Sequence, residues 1–151
     1  MNLHFDSLEL FLDSLNFNFG IIGLSETRIL SKSSFFPTLE GYQSYITPTE
    51  ANHGGTLLFV SENFDSVRRS DLEPMMYSSK LLESTFAEIQ LKNKPNIVVG
   101  TIYRHHSLSP TEFTNNFFLY VLEKVNRQGK FLVLLGDFNI DLIKSTDPHN
   151  N

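Results

Sequence analysis

The stretch that decides the reading is Phe131-Leu-Val-Leu-Leu-Gly136-Asp137-Phe-Asn139-Ile-Asp141-Leu142. Five apolar residues in a row are too few for a membrane span and suit a buried strand. The run breaks at Gly136, and Asp137 and Asn139 follow at a spacing of two. In extended chain, residues i and i+2 point to the same side, so both side chains are expected to face one ligand.

Two other apolar runs end in the same way. Ile21-Ile-Gly-Leu-Ser-Glu26 delivers a carboxylate, and Ile97-Val-Val-Gly-Thr-Ile-Tyr103 delivers a phenol. Neighbouring strands lie about 5 Å apart, so strand ends distant in sequence can share one pocket. Two carboxylates beside an amide form an all-oxygen set suited to a hard cation such as Mg²⁺. Polar strand ends also arise wherever a chain emerges into water, and Asp and Asn after Gly is ordinary turn chemistry.

Helices frame these strands. Phe5, Leu8, Leu12 and Leu15 fall on one helical face with Phe11 beside them, and Asp6 with Glu9 reads as an N-cap and its reciprocal partner. Ser109-Pro110-Thr111-Glu112 offers a capping serine, proline at the first helical position and glutamate three residues after the cap. A stripe at Phe113, Phe117, Phe118, Val121, Leu122 and Val125 follows, closed by Gly129. Further strands are expected at 42–47, 55–60, 64–69 and 84–91. The order of helix, strand, several strands, helix and strand predicts an α/β layered sandwich.

Composition narrows the class. The 151 residues suit one domain, and 14 phenylalanines with no tryptophan predict a phenyl-rich interior. No cysteine is present, which excludes disulfides and thiolate metal sites and fits a reducing compartment, nuclear or cytoplasmic. No apolar stretch reaches membrane-span length, and neither a membrane partner nor a secretory signal is expected. A net charge of −5 runs against strong non-specific binding of nucleic acid. Arg68-Arg69 reads as an exposed face. His105-His106 reads as a solvated loop at the pocket rim, because adjacent residues seldom point at one ion. His53-Gly54-Gly55 reads as a turn, with no Lys-Ser or Lys-Thr helix start to make it a phosphate loop. Oligomeric state is not legible.

Four motifs, Ile21–Thr27 (IIGLSET), Gly54–Val60 (GGTLLFV), Gly100–Arg104 (GTIYR) and Leu134–Leu142 (LLGDFNIDL), stand in an order and at intervals that carry a resemblance. Together they resemble the endonuclease/exonuclease/phosphatase superfamily, nearest to the apurinic-endonuclease-like domain at the start of many non-LTR retrotransposon polyproteins. The resemblance implies a four-layer α/β sandwich and phosphodiester hydrolysis with Mg²⁺, or Mn²⁺ in its place, acting on DNA. It implies that Glu26 and Asp137 are metal-binding, that Tyr103 hydrogen-bonds the scissile phosphate, and that Asp137 and Asn139 orient or deprotonate the attacking water. Asp141 is assigned no catalytic role.

The chain departs from the family at several points. Arg28 stands where relatives often carry Trp, and His105 and His106 where prolines are usual. The family's first-strand Asn motif and its terminal Ser-Asp-His motif are not in this sequence, and His149 sits in a polar stretch with no strand before it. The resemblance therefore implies a partial domain over residues 1–142, an incomplete sandwich truncated at both ends, with a polar tail at 143–151. Loss of members of a catalytic constellation costs orders of magnitude in rate. Impaired endonuclease, inactive retroelement remnant and repurposed binding module are the three readings that follow.

Overall fold

In the computed structural model, residues 3–34, 36–50, 53–73 and 81–141 are described, so the expected tail and His149 lie outside the described residues. Among the described residues the chain forms seven strands in two sheets, two longer helical segments and a short 3₁₀ turn at Ser70–Leu72.

The first sheet has the order β1-β3-β2, from β1 (Ile21–Ser25), β2 (Tyr42–Thr47) and β3 (Thr56–Ser61), all antiparallel. The second has the order β4-β5-β6-β7, from β4 (Ser66–Arg68), β5 (Leu82–Ile89), β6 (Ile97–Arg104) and β7 (Phe131–Asp137). Its first two pairings are antiparallel, while β6 and β7 run parallel. A parallel neighbour requires a crossover, and the helical segment 110–127 supplies it.

Alternation along β5, β6 and β7 divides two cores. Leu82, Phe86, Val98, Ile102, Leu132 and Leu134 face the crossover and pack with Phe113, Phe117, Val121 and Val125. The opposite face supplies Ala87, Ile89, Val99 and Leu135, which meet Leu58 and Val60 of β3 and Ile21 of β1. Helix α1 (Leu3–Ser14) sets Phe5 against Phe59, their ring centroids 5.8 Å apart.

The crossover begins as expected: Ser109 caps α2 (Pro110–Glu112), its hydroxyl accepting from the Glu112 N–H at 3.1 Å. It then widens into a π-helical stretch, Phe113–Phe118, before α3 (Leu119–Arg127). The reason lies in the spacing. Phe113, Phe117, Val121 and Val125 are all buried and lie four apart, and a step of four overshoots the α-helical turn by about 40°. A π turn winds less per residue and keeps the stripe on the sheet. Leu122, expected in the stripe, is instead exposed.

Other expectations are corrected near the chain's edges. Helix α1 starts at Leu3, so Asp6 lies inside it and is no cap, and Phe11 and Leu15 are exposed while Phe5 and Leu8 face the sheet side. Strand β7 is not fully buried: among the described residues only β6 pairs with it, and Phe131 is 63% and Val133 43% exposed. Strand β4 covers three residues rather than the expected six. Arg69 is half-buried, held by Asp71 at 2.7 Å and Glu88 at 2.5 Å, whereas Arg68 is exposed.

Candidate functional site

One end of the space between the sheets is polar. Thr85 Oγ1 lies 2.8 Å from both Thr56 Oγ1 and Thr47 Oγ1, and Thr47 Oγ1 donates to the Ser84 carbonyl at 2.9 Å. Hydroxyls thus join the two sheets where the other end uses aliphatic side chains. At this polar end the register aligns Glu83, Tyr103 and Asp137 on three successive strands, β5, β6 and β7. All three take the inter-sheet face by alternation.

Glu26 arrives from the other sheet, one residue past β1. Tyr103 Oη donates to its Oε1 at 2.8 Å. Tyr103 and Asp137 therefore meet as ends of adjacent strands, as expected, while Glu26 reaches them across the gap between sheets. Glu26 has φ of 55° and Arg28 also 55°, a left-handed conformation costly for such residues. The local cause is a tight pairing. The Thr27 N–H donates to the Gly55 carbonyl at 3.2 Å and the Arg28 N–H to the Gly54 carbonyl at 2.8 Å, which bends the chain directly after Glu26.

The environment sets protonation states. Burial, then the hydrogen bond to Glu26, then the charges on Glu26, Asp137 and Glu83 push Tyr103 up to about 12. Tyr103 is thus a hydrogen-bond donor at neutral pH, not a phenolate. Burial also raises the Glu83 carboxyl, opposed by the Gly55 N–H, the Thr49 hydroxyl and the charge of His53. The Gly55 N–H donates to Glu83 Oε2. Gly54, with φ of 90°, brings the backbone so close that a Cβ would overlap the Glu83 carboxylate.

Asp137 ends β7 and is exposed. Gly136 before it has φ of 119° and lies against the Ile102 backbone, so a side chain there would strike β6. That is why the apolar run breaks at glycine. Asn139 departs from the expected geometry: its φ is 48°, so extended i, i+2 alternation does not reach it. Its N–H donates to Asp137 Oδ1 at 2.9 Å, an Asx turn, and its side-chain amide donates to the Arg104 carbonyl at 2.7 Å.

The rim carries three imidazoles. His53 and His105 stack at 4.8 Å, and His105 and His106 lie 4.0 Å apart. Burial and the neighbouring His106 and His53 lower the His105 pKa. Among the described residues no group of three or more His, Cys, Asp or Glu side chains is arranged to hold a metal.

The concave surface is divided. Glu26 lines a cleft of about 1040 Å³ with Phe5, Leu8 and Arg28, between α1 and the 25–37 segment. Asp137, Asn139 and Asp141 line a separate hollow of about 500 Å³. Tyr103, 5% exposed, stands between the two carboxylates as hydrogen-bond partner of one and cross-strand neighbour of the other.

Sequence reasoning missed two residues here. Glu83 stands just before the strand expected at 84–91; β5 begins two residues earlier, at Leu82, and this sets Glu83 opposite Tyr103. Arg104 had a signal, a cation ending an apolar strand, but no visible partner. No protein-family model matches the chain, and no curated protein matches it.

Proposed function

We propose that this chain is a Mg²⁺-dependent phosphodiesterase domain of the endonuclease/exonuclease/phosphatase type, with DNA nicking of the non-LTR retrotransposon kind as its activity. The observation that carries the reading is the place of Tyr103 between two carboxylates, hydrogen-bonded to Glu26 from the other sheet and paired across strands with Asp137. The packing supports the four-layer sandwich that belongs to the same reading: α1 against β3, two sheets face to face, and the crossover against β5 and β6.

The donor chemistry suits a hard cation. Mg²⁺ takes one or two carboxylates and completes its shell with water and phosphate, so either Glu26 or Asp137 would suffice as the carboxylate ligand, with Mn²⁺ able to substitute. When bound, the ion would polarise the phosphoryl oxygen and offset charge on the departing oxygen. Tyr103, protonated at neutral pH, would turn its one O–H from Glu26 to a phosphate oxygen and fix the line of attack. Asp137 would accept the proton of the attacking water, and Asn139 Oδ1 would hold that water, since its amide N–H is committed to Arg104.

Nicking of supercoiled plasmid in Mg²⁺ tests this. Wild-type protein should convert plasmid to the open circle, and Asp137→Ala should abolish conversion. A folded sample whose amides shift with Mg²⁺ but which nicks nothing would overturn catalysis and favour a non-catalytic binding module.

A further inference from the structure

Arg104 is the largest fully buried side chain among the described residues, 1% exposed, and no carboxylate bonds it. Its guanidinium instead collects carbonyls: Nε donates to Phe138, Nη2 to Asn139, and Nη1 to Leu108 and, at 3.5 Å, to His105. Burial lowers its pKa, and the nearby charge of Asp137 opposes this. A cation buried among neutral acceptors is costly, and an apolar side chain would fill the same space more cheaply. What the guanidinium uniquely supplies is a rigid planar fork able to hold several carbonyls in fixed relative positions.

Two of the carbonyls it holds belong to the turn after β7, and the other two to the segment that follows β6. Phe138 and Asn139 are gripped by the fork, while Asn139 returns its amide to the Arg104 carbonyl and its N–H to Asp137. Tyr103 and Arg104 are consecutive in β6 and point to opposite faces. One faces the polar end of the inter-sheet space, and the other grips from behind the turn that presents Asp137.

We propose that Arg104 is a positioning residue: it locks the 137–139 turn in its left-handed form and thereby sets the direction of the Asp137 carboxylate. The purpose of that direction rests on the phosphodiesterase reading; the clamp itself does not.

The test is amide spectroscopy of the full chain, with nicking kinetics beside it. Arg104→Met should keep a dispersed spectrum yet speed exchange of the Asn139 amide at least about tenfold. Mg²⁺-induced shifts at Asp137 should fade, and kcat for nicking should fall roughly 10–100-fold at unchanged KM. Arg104→Lys, which keeps charge but loses the fork, should restore stability more than kcat. Unchanged Asn139 exchange and unchanged Asp137 shifts in a folded Arg104→Met would overturn the proposal. If that variant does not fold, the wild-type guanidinium decides: separate, slowly exchanging N–H signals support the clamp, and averaged, fast-exchanging ones overturn it. Wild-type protein with a protected Asn139 amide and no nicking would sink the phosphodiesterase reading and leave the clamp standing.

Discussion

The two ends of the inter-sheet space are built from the same strands by different chemistry. At one end Leu58, Val60, Ala87, Ile89 and Val99 close an aliphatic core. At the other, a few residues along β5 and β6, the same face carries Thr85, Glu83, Thr101 and Tyr103, all buried. Burial of apolar surface stabilises the first end at about 25 cal/mol per Å². The second end pairs most of the polar groups it hides, with a threonine relay, a tyrosine–carboxylate bond and a glycine N–H, and leaves the buried Thr101 hydroxyl without a partner among the described residues. The lesson is that one end holds the sheets together while the other holds reactive groups in place at some cost to stability.

Substitutions at each end sharpen this contrast. Leu58→Ala at the aliphatic end should destabilise by ~2–5 kcal/mol, read by denaturant unfolding, with little effect on Mg²⁺-induced shifts. A loss below about 1 kcal/mol would mean that this end does not carry the packing. Gly54→Ala at the polar end should cost roughly 1–3 kcal/mol, since the new Cβ meets the Glu83 carboxylate at a positive φ. Unlike Leu58→Ala, it should also perturb the amides of Glu26 and Thr27.

Tyr103→Phe should change stability by only about 0.5–1.5 kcal/mol, because Glu26 is exposed and water can replace the lost donor. Its larger expected effect is on nicking. A loss of several kcal/mol would show that the Tyr103–Glu26 bond is a structural tie.

Glu83→Gln should give the smallest change, and it should be stabilising. The folded carboxyl pKa is raised above its ordinary 4.5, so the folded state binds more protons than the unfolded state between those two values. Stability therefore falls as pH rises through that window. The glutamine variant should lack this fall and melt higher at neutral pH. A parallel pH profile in both proteins would show that Glu83 titrates normally.

Much of the frame was legible in the primary structure. Ser109 with Pro110 marked a cap that forms as expected, and Tyr42–Thr47 formed the expected strand without a shift. These signals are local: capping, proline geometry and alternation act within a few residues. The fit weakened where neighbours decide. Helix α1 began before its expected cap, and β7 proved to be the outer strand among the described residues, because strand order is not written in any one strand.

Within the site the division is the same. The sequence determined that Glu26, Tyr103 and Asp137 would stand at or beside strand ends, because each apolar run breaks there. Only the tertiary structure decided that Glu26 crosses between sheets to accept from Tyr103, that Glu83 faces Tyr103 from β5, and that Arg104 grips the turn carrying Asn139. Those contacts join residues 20 to 77 positions apart in the chain. Short-range propensity carries no information about such pairs; packing two sheets and a crossover around shared cores creates them.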